Sequence, residues 1–281
     1  MRIEQLTFTR FLAALLIVVF HFGSGATHFT NPYTQFIFKQ ANVGVSYFFM
    51  LSGFVMIIAY HNKVKVGFVN YISNRFARIY PVYLLATFFL FILSVVSKNL
   101  NISNFFLNVF MIQAWIPKKA LVFNIAAWSL CVELFFYIIF PFLFNQLYSK
   151  IKLNKLIAPV VLFWLVSQII FHYVVYKDNS FGWFYNKEDI MYHPVFHLNE
   201  FLVGNLAGIF FIKKRKYLKN YDWHIVGVVV IILLALKYPI GLNFHNGFLA
   251  ILFIPLILLL SLNNGCITQF FNKKTLVFLG E

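Results

Sequence analysis

The chain has 281 residues, of which 61% are hydrophobic, 21% aromatic and only 11% charged, and it carries a formal net charge of +15. A soluble domain has roughly 45–50% apolar and about 25% charged residues, so an ordinary water-soluble fold of this length is excluded and lipid must solvate much of the surface. The Lys and Arg residues fall in short clusters between apolar runs, as in loops retained in the cytoplasm. That placement points to a lipid bilayer as partner and to no nucleic acid.

Long apolar segments at 6–23, 43–61, 77–97, 123–147, 156–176, 195–212, 223–240 and 246–263 predict membrane-crossing helices. Each is near or above the ~17–20 residues that a helix needs to cross the hydrocarbon core. Helix is the form expected, because an open sheet would leave backbone groups unpaired in lipid. The expected fold class is therefore all-α: a polytopic transmembrane bundle of about eight complete spans plus the start of another, in a single integral-membrane domain over 1–281. The first run, Phe11 to Phe20 behind Arg2, has the outline of a signal peptide. Arg10 and His21 within that region, and the further spans behind it, favour a retained helix instead. The stretch Asn104 to Trp115 is shorter and interrupted by Asn108 and Gln113, so it reads as re-entrant or interfacial. Cys131 and Cys266 lie in or beside apolar runs, and no structural disulfide is expected.

Orientation follows from the cations. With the N-terminus inside, the Lys63–Lys65 and Arg75–Arg78 group, the Lys150–Lys155 group and the Lys213–Lys219 group all face the cytoplasm, with Arg2, Arg10, Lys273 and Lys274. The opposite side keeps a minority of the cations, and its 177–194 loop also carries Asp178, Glu188 and Asp189. A multi-pass protein of the cell membrane with a cytoplasmic N-terminus satisfies this bias.

Ionisable groups inside a bilayer cost several kcal/mol each by insertion scales, so those present usually face a cavity and serve a function. Arg10 and His21 are eleven residues apart, which at ~100° per residue is three turns plus about 20° and places both on one face, about 16 Å apart along the axis. Taken alone, Arg10 reads rather as a snorkelling cation and His21 as a packing histidine. Arg75 and Arg78, at i and i+3, share a face where span three leaves the cytoplasm. Two guanidinium forks there suit either phosphate recognition or lipid headgroups. Glu133 lies too deep to reach water and needs a cationic or hydrogen-bonding partner, or a proton. His193, His197 and Glu200 have spacings that could ligate a metal on a helix, but Pro194 disfavours helix at His193 and no metal is expected. Ser52 and Gly53 are small enough to admit another helix.

Taken in order, these segments resemble the integral-membrane acyltransferase-three family. The Arg10 and His21 pair matches that family's first helix. Gly44 through Phe54 matches its G-V-x-x-F-F-x-L-S-G-F stretch, and Arg75 to Pro81 its R-x-x-R-I-x-P element. Trp128 to Glu133, with Tyr137 and Pro141, matches W-S-L-x-x-E with F-Y and Pro behind. Glu200, Phe201 and Gly204 match E-F-x-x-G. One departure concerns the end: Leu279-Gly280-Glu281 usually runs into a further helix and one more span, and an apolar run from Thr275 to a Glu looks like an interrupted helix, so the last two family helices are expected to be missing.

The resemblance implies an O-acyltransferase of bacterial cell envelopes. The acyl group, commonly acetyl, would pass from cytoplasmic acyl-CoA, a co-substrate and not a permanent cofactor, to a hydroxyl of an extracytoplasmic glycan or lipid-linked saccharide. Arg10, Arg75 and Arg78 would then meet the CoA phosphates. His21 would act as general base or carry the acyl group, and Glu133 would hold the imidazole tautomer if the two helices meet. Trp128, Ser129 and Glu200 would contact the acceptor. The alternative from another class is a secondary transporter or flippase, with Arg10, His21 and Glu133 as an intramembrane proton relay. The absence of inverted repeats counts against it.

Overall fold

A computed structural model of the chain describes residues 3–23, 26–177 and 186–280. Arg2, Asp178 and Glu281, which enter the readings above, lie outside the described residues. The fold is all-α, and the only β pairing among the described residues is one parallel bridge between Lys219 and Asn263.

Among the described residues six helices are long and apolar enough to cross a membrane: Gln5–Gly23, Val43–Tyr60, Phe68–Val96, Ile125–Tyr148, Leu153–Lys177 and Lys187–Lys214. The regular α-helical parts are α1 (Gln5–Val18), α2 (Val43–Tyr60), α3 (Phe68–Val96), α4 (Trp128–Leu143), α5 (Leu153–Lys177) and α6 (Pro194–Lys214). Two shorter helices follow, α7 (Asp222–Lys237) and α8 (Ala250–Leu262). Six long helices in place of about eight complete spans correct the expected count. The apolar runs at 223–240 and 246–263 form helices of only 16 and 13 residues. At 1.5 Å per residue these are about 24 and about 20 Å long, short of a hydrocarbon core of about 30 Å. Pro239 follows closely on the end of α7, and Gly241 and Gly247 take left-handed φ values of 75° and 86°, so the backbone breaks although the composition stays apolar.

That break is held by side chains. The Ser46 hydroxyl donates to the carbonyl of His245 at 2.7 Å, Gln168 Nε2 to that of Asn246 at 2.7 Å, and Trp164 Nε1 to that of Gly247 at 2.9 Å. Unwound backbone buried among helices needs such donors, since no water solvates it there.

By their internal contacts the residues divide into two compact units. One comprises 1–62, 153–168 and 199–281, and the other 63–152 and 169–198. The first has an apolar core drawn from α1, α2, α6, α7 and α8, with Met50, Phe54 and Ile257 fully buried. Within it α2 and α6 pack backbone to backbone. A Cβ on Gly53 would strike the carbonyl oxygen of Phe201, and one on Gly204 the carbonyl of Met50. The small-residue approach expected at Ser52–Gly53 is thus made at Gly53, with Gly204 as its counterpart.

In the second unit α3 is 29 residues long, about 43 Å. It starts nine residues before the apolar run at 77–97, so part of the stretch between that run and the one at 43–61 is helix. Tyr80 and Tyr83 on α3 donate to the carbonyls of Val109 and Asn108 at 3.0 and 2.7 Å, fastening the helix Ile102–Val109. At eight residues this helix is too short to cross the core. Cys131 is buried and Cys266 exposed, both as free thiols.

Candidate active site

The second unit brings together Arg75 and Glu133. Tyr71 and Arg75 are an i, i+4 pair on α3, and Glu133 and Tyr137 an i, i+4 pair on α4, so each pair shares a face of its helix. The Arg75 guanidinium carbon lies over the ring of Tyr71, 5.8 Å from its centroid, and over that of Tyr137, at 5.6 Å. Both distances fall within cation–π range. The Tyr137 hydroxyl donates to Glu133 Oε1. A cation and a carboxyl are therefore joined through one phenol. Tyr71 and Tyr137 are buried, while Arg75 and Glu133 are half-buried. Tyr71 is backed by Phe140, whose ring stacks on it at 5.7 Å. Arg78, one turn further on, is exposed.

Neither tyrosine stands out on chemical grounds in the sequence. The signal available was the i, i+4 spacing of an aromatic to each charged residue, which apolar patterning does not weigh. Because α3 exceeds the hydrocarbon thickness by several residues, its first turns, including Arg75, have room to stand in the headgroup layer.

Trp128 opens α4 and is buried, its ring centroid 4.9 Å from that of Tyr192 and 5.2 Å from that of His197. His197 is fixed in turn by a 2.8 Å hydrogen bond between its Nε2 and the Met191 carbonyl. The Ser129 hydroxyl donates to the Ala126 carbonyl at 3.1 Å. His193 precedes Pro194 in extended conformation, with ψ 131°, as the steric effect of proline requires. It belongs to no helical face with His197 and Glu200.

The first unit carries the other expected residues. Arg10 is exposed on α1, beside Thr9, whose hydroxyl lies 2.7 Å from the Tyr47 hydroxyl on α2. His21 is exposed and lies in the π-helical turn Val19–Gly23 that continues α1. The uniform 100° step behind the same-face argument therefore holds only to Val18. Such wide turns occur mostly as single insertions within α-helices, often at functional sites. Glu200, expected among the acceptor contacts, is fully buried in the second turn of α6. A Cβ on Gly247 would stand 2.5 Å from its Cγ and 2.6 Å from Asn199 Oδ1, so the broken segment between α7 and α8 lies directly on Glu200.

The helical scaffold, with its apolar helices of membrane-crossing length, is that of a membrane protein, and the comparisons give the class. A family model described as an acyltransferase domain (acyltransferase 3) matches residues 3–281, and the chain belongs to that family. It is also similar to acyltransferase MdmB of Streptomyces mycarofaciens, with 30% identity over 167 residues that make up 55% of this chain and 42% of that protein. The matched stretch thus spans less than half the length of that relative. No solved structure matches the chain. Membership in an acyltransferase family weighs against the transporter or flippase alternative.

Proposed function

We propose that the protein transfers an acyl group, commonly acetyl, from cytoplasmic acyl-CoA to a hydroxyl of an extracytoplasmic glycan or lipid-linked saccharide. The observation that carries this reading is the joining of Arg75 to Glu133 through Tyr137 in a chain of the acyltransferase-three family. A guanidinium resting on aromatic rings keeps its in-plane N–H groups for a phosphate, which fits the CoA end of the donor. Arg78 and Arg10, both exposed cations, add to the positive field that draws a polyanion to the membrane face.

In the reaction the acceptor hydroxyl attacks the thioester carbonyl. An oxygen–carbon bond forms, the carbon–sulfur bond breaks, and the proton leaving the hydroxyl ends on the CoA thiolate. His21 is the proposed carrier of that proton, its imidazole having both a donor and an acceptor nitrogen. Its exposure and its wide helical turn support the assignment. Glu133, which accepts a hydrogen bond from the Tyr137 hydroxyl, is the proposed carboxyl of the transfer step. Trp128 and Ser129 are the proposed acceptor contacts, an indole face and a hydroxyl being suited to a sugar. An N-terminus in the cytoplasm follows from the cation bias, and six crossings keep the Lys150 and Lys213 groups on that side.

The test uses purified protein in lipid nanodiscs with acetyl-CoA and envelope polysaccharide from cells lacking the gene. Release of CoA thiol together with labelled acetate on the polysaccharide is the expected result. CoA binding without transfer to any hydroxyl acceptor, or no CoA binding at all, would overturn the proposal.

A further inference from the structure

Tyr137 touches both of the groups that the proposed function needs in the second unit, and does so with different atoms. Its ring face meets the Arg75 guanidinium, with the centroid 5.6 Å from Cζ, and its hydroxyl meets the Glu133 carboxyl. The side chain is 6% exposed, so water does not compete strongly for either contact. The two contacts are chemically independent: a cation on an aromatic face requires the ring and no hydroxyl, whereas the carboxyl requires the hydroxyl alone. Tyr71 offers Arg75 a second ring, 5.8 Å from Cζ.

We infer that Tyr137 is a positioning residue with two separable duties, its ring (with that of Tyr71) holding the Arg75 guanidinium for the donor's phosphates and its hydroxyl holding Glu133 for the transfer step. The inference rests on the acyl-CoA reading above. A flexible arginine with no face to rest on loses more rotamer freedom when it grips an anion, so removing the ring weakens donor binding. A carboxyl without its donor no longer has a fixed direction, so removing the hydroxyl slows turnover at saturating donor.

The experiment measures CoA affinity by calorimetry and kcat and KM with acetyl-CoA, on protein in nanodiscs. Tyr137→Phe keeps the ring, so its CoA affinity is expected within about twofold of wild type while kcat falls at least about tenfold. Tyr137→Leu is expected to lose about three- to tenfold in CoA affinity as well. Tyr71→Leu is expected to weaken CoA binding similarly with kcat kept, and it carries the ring half of the test should Tyr137→Leu fail to fold. A purely structural tyrosine would lower the thermal midpoint without splitting affinity from kcat in this way. Wild-type kcat in Tyr137→Phe overturns the hydroxyl duty, and unchanged CoA affinity in the leucine variants overturns the ring duty. A wild-type protein that binds no CoA overturns the acyl-CoA reading along with this one. Normal CoA turnover with indifferent Tyr137 variants overturns this one alone.

Discussion

Glu133 and Glu200 are both carboxyls on long apolar helices, yet their surroundings differ. Glu133 is half-buried, accepts a hydrogen bond from Tyr137 and is one side chain away from a guanidinium. Glu200 has no exposed surface and carries the backbone of Gly247 against its side chain. Around it, Gln168 and Asn199 share the Asn246 carbonyl at 2.7 and 3.4 Å. An acid that meets a mobile substrate must keep some access to it, whereas an acid that braces a broken helix must be sealed. The family motif marks both positions alike, and only the packing separates them.

The largest effect should come from separating the two acids by mutation. Glu133→Gln is expected to cut transfer about 100-fold or more with the thermal midpoint nearly unchanged. Glu200→Ala is expected to destabilise the fold by about 2–4 kcal/mol through the cavity left in sealed packing, read as a lower melting temperature in detergent. If Glu200→Ala melted like wild type but lost turnover, the contrast would collapse and Glu200 would return to the acceptor site. Gly247→Ala sharpens the same point. A methyl there meets both Glu200 and Asn199 on a backbone of φ 86°, and a loss of about 1–3 kcal/mol is expected, measured the same way.

The arginines on α3 give a smaller effect. Arg75→Ala is expected to weaken CoA binding by about tenfold and Arg78→Ala by less, because only Arg75 is placed on aromatic rings in the geometry described. Arg75→Lys should rescue partly, keeping charge but losing the fork. Equal losses at the two positions would argue for a diffuse basic surface. A third acid, Asp222, gives the smallest effect. Its carboxylate accepts from the amides of Cys266 and Ile267 at 2.7 and 3.2 Å and from Asn263 Nδ2 at 2.8 Å. Desolvation pushes its pKa up, but these hydrogen bonds outweigh it and hold the group below its ordinary 3.8. A depressed carboxylate stabilises the fold above its unfolded pKa and ceases to do so as pH falls through the folded one. Asp222→Asn should therefore melt lower than wild type near neutrality, with the gap narrowing below about pH 4.

Much of the helical plan could be read from the amino-acid sequence, since helix over Val43–Tyr60 and over Leu153–Lys177 coincides closely with the apolar runs. Two departures have physical causes. The start of α3 at Phe68 was hidden because the segment Tyr71 to Arg78 is polar, and hydropathy measures solvent preference and not helicity. The shortness of α7 and α8 was hidden for the opposite reason: Phe244, Phe248 and Leu249 keep the break apolar while Gly241 and Gly247 bend it. In the site, Arg75 and Glu133 stood out as charges where charges are costly. Tyr71 and Tyr137 did not, because an aromatic in an apolar helix looks like packing until its partners are known.

The central claim is acyl transfer from acyl-CoA with His21 handling the acceptor's proton. Its most direct measurement is transfer of labelled acetate from acetyl-CoA to a polysaccharide acceptor by wild type and His21→Gln in nanodiscs, with CoA affinity recorded on the same samples. The account predicts that His21→Gln binds CoA like wild type and transfers nothing above background. Retention of most of the wild-type transfer by His21→Gln would contradict it and leave His21 as a hydrogen-bonding residue only.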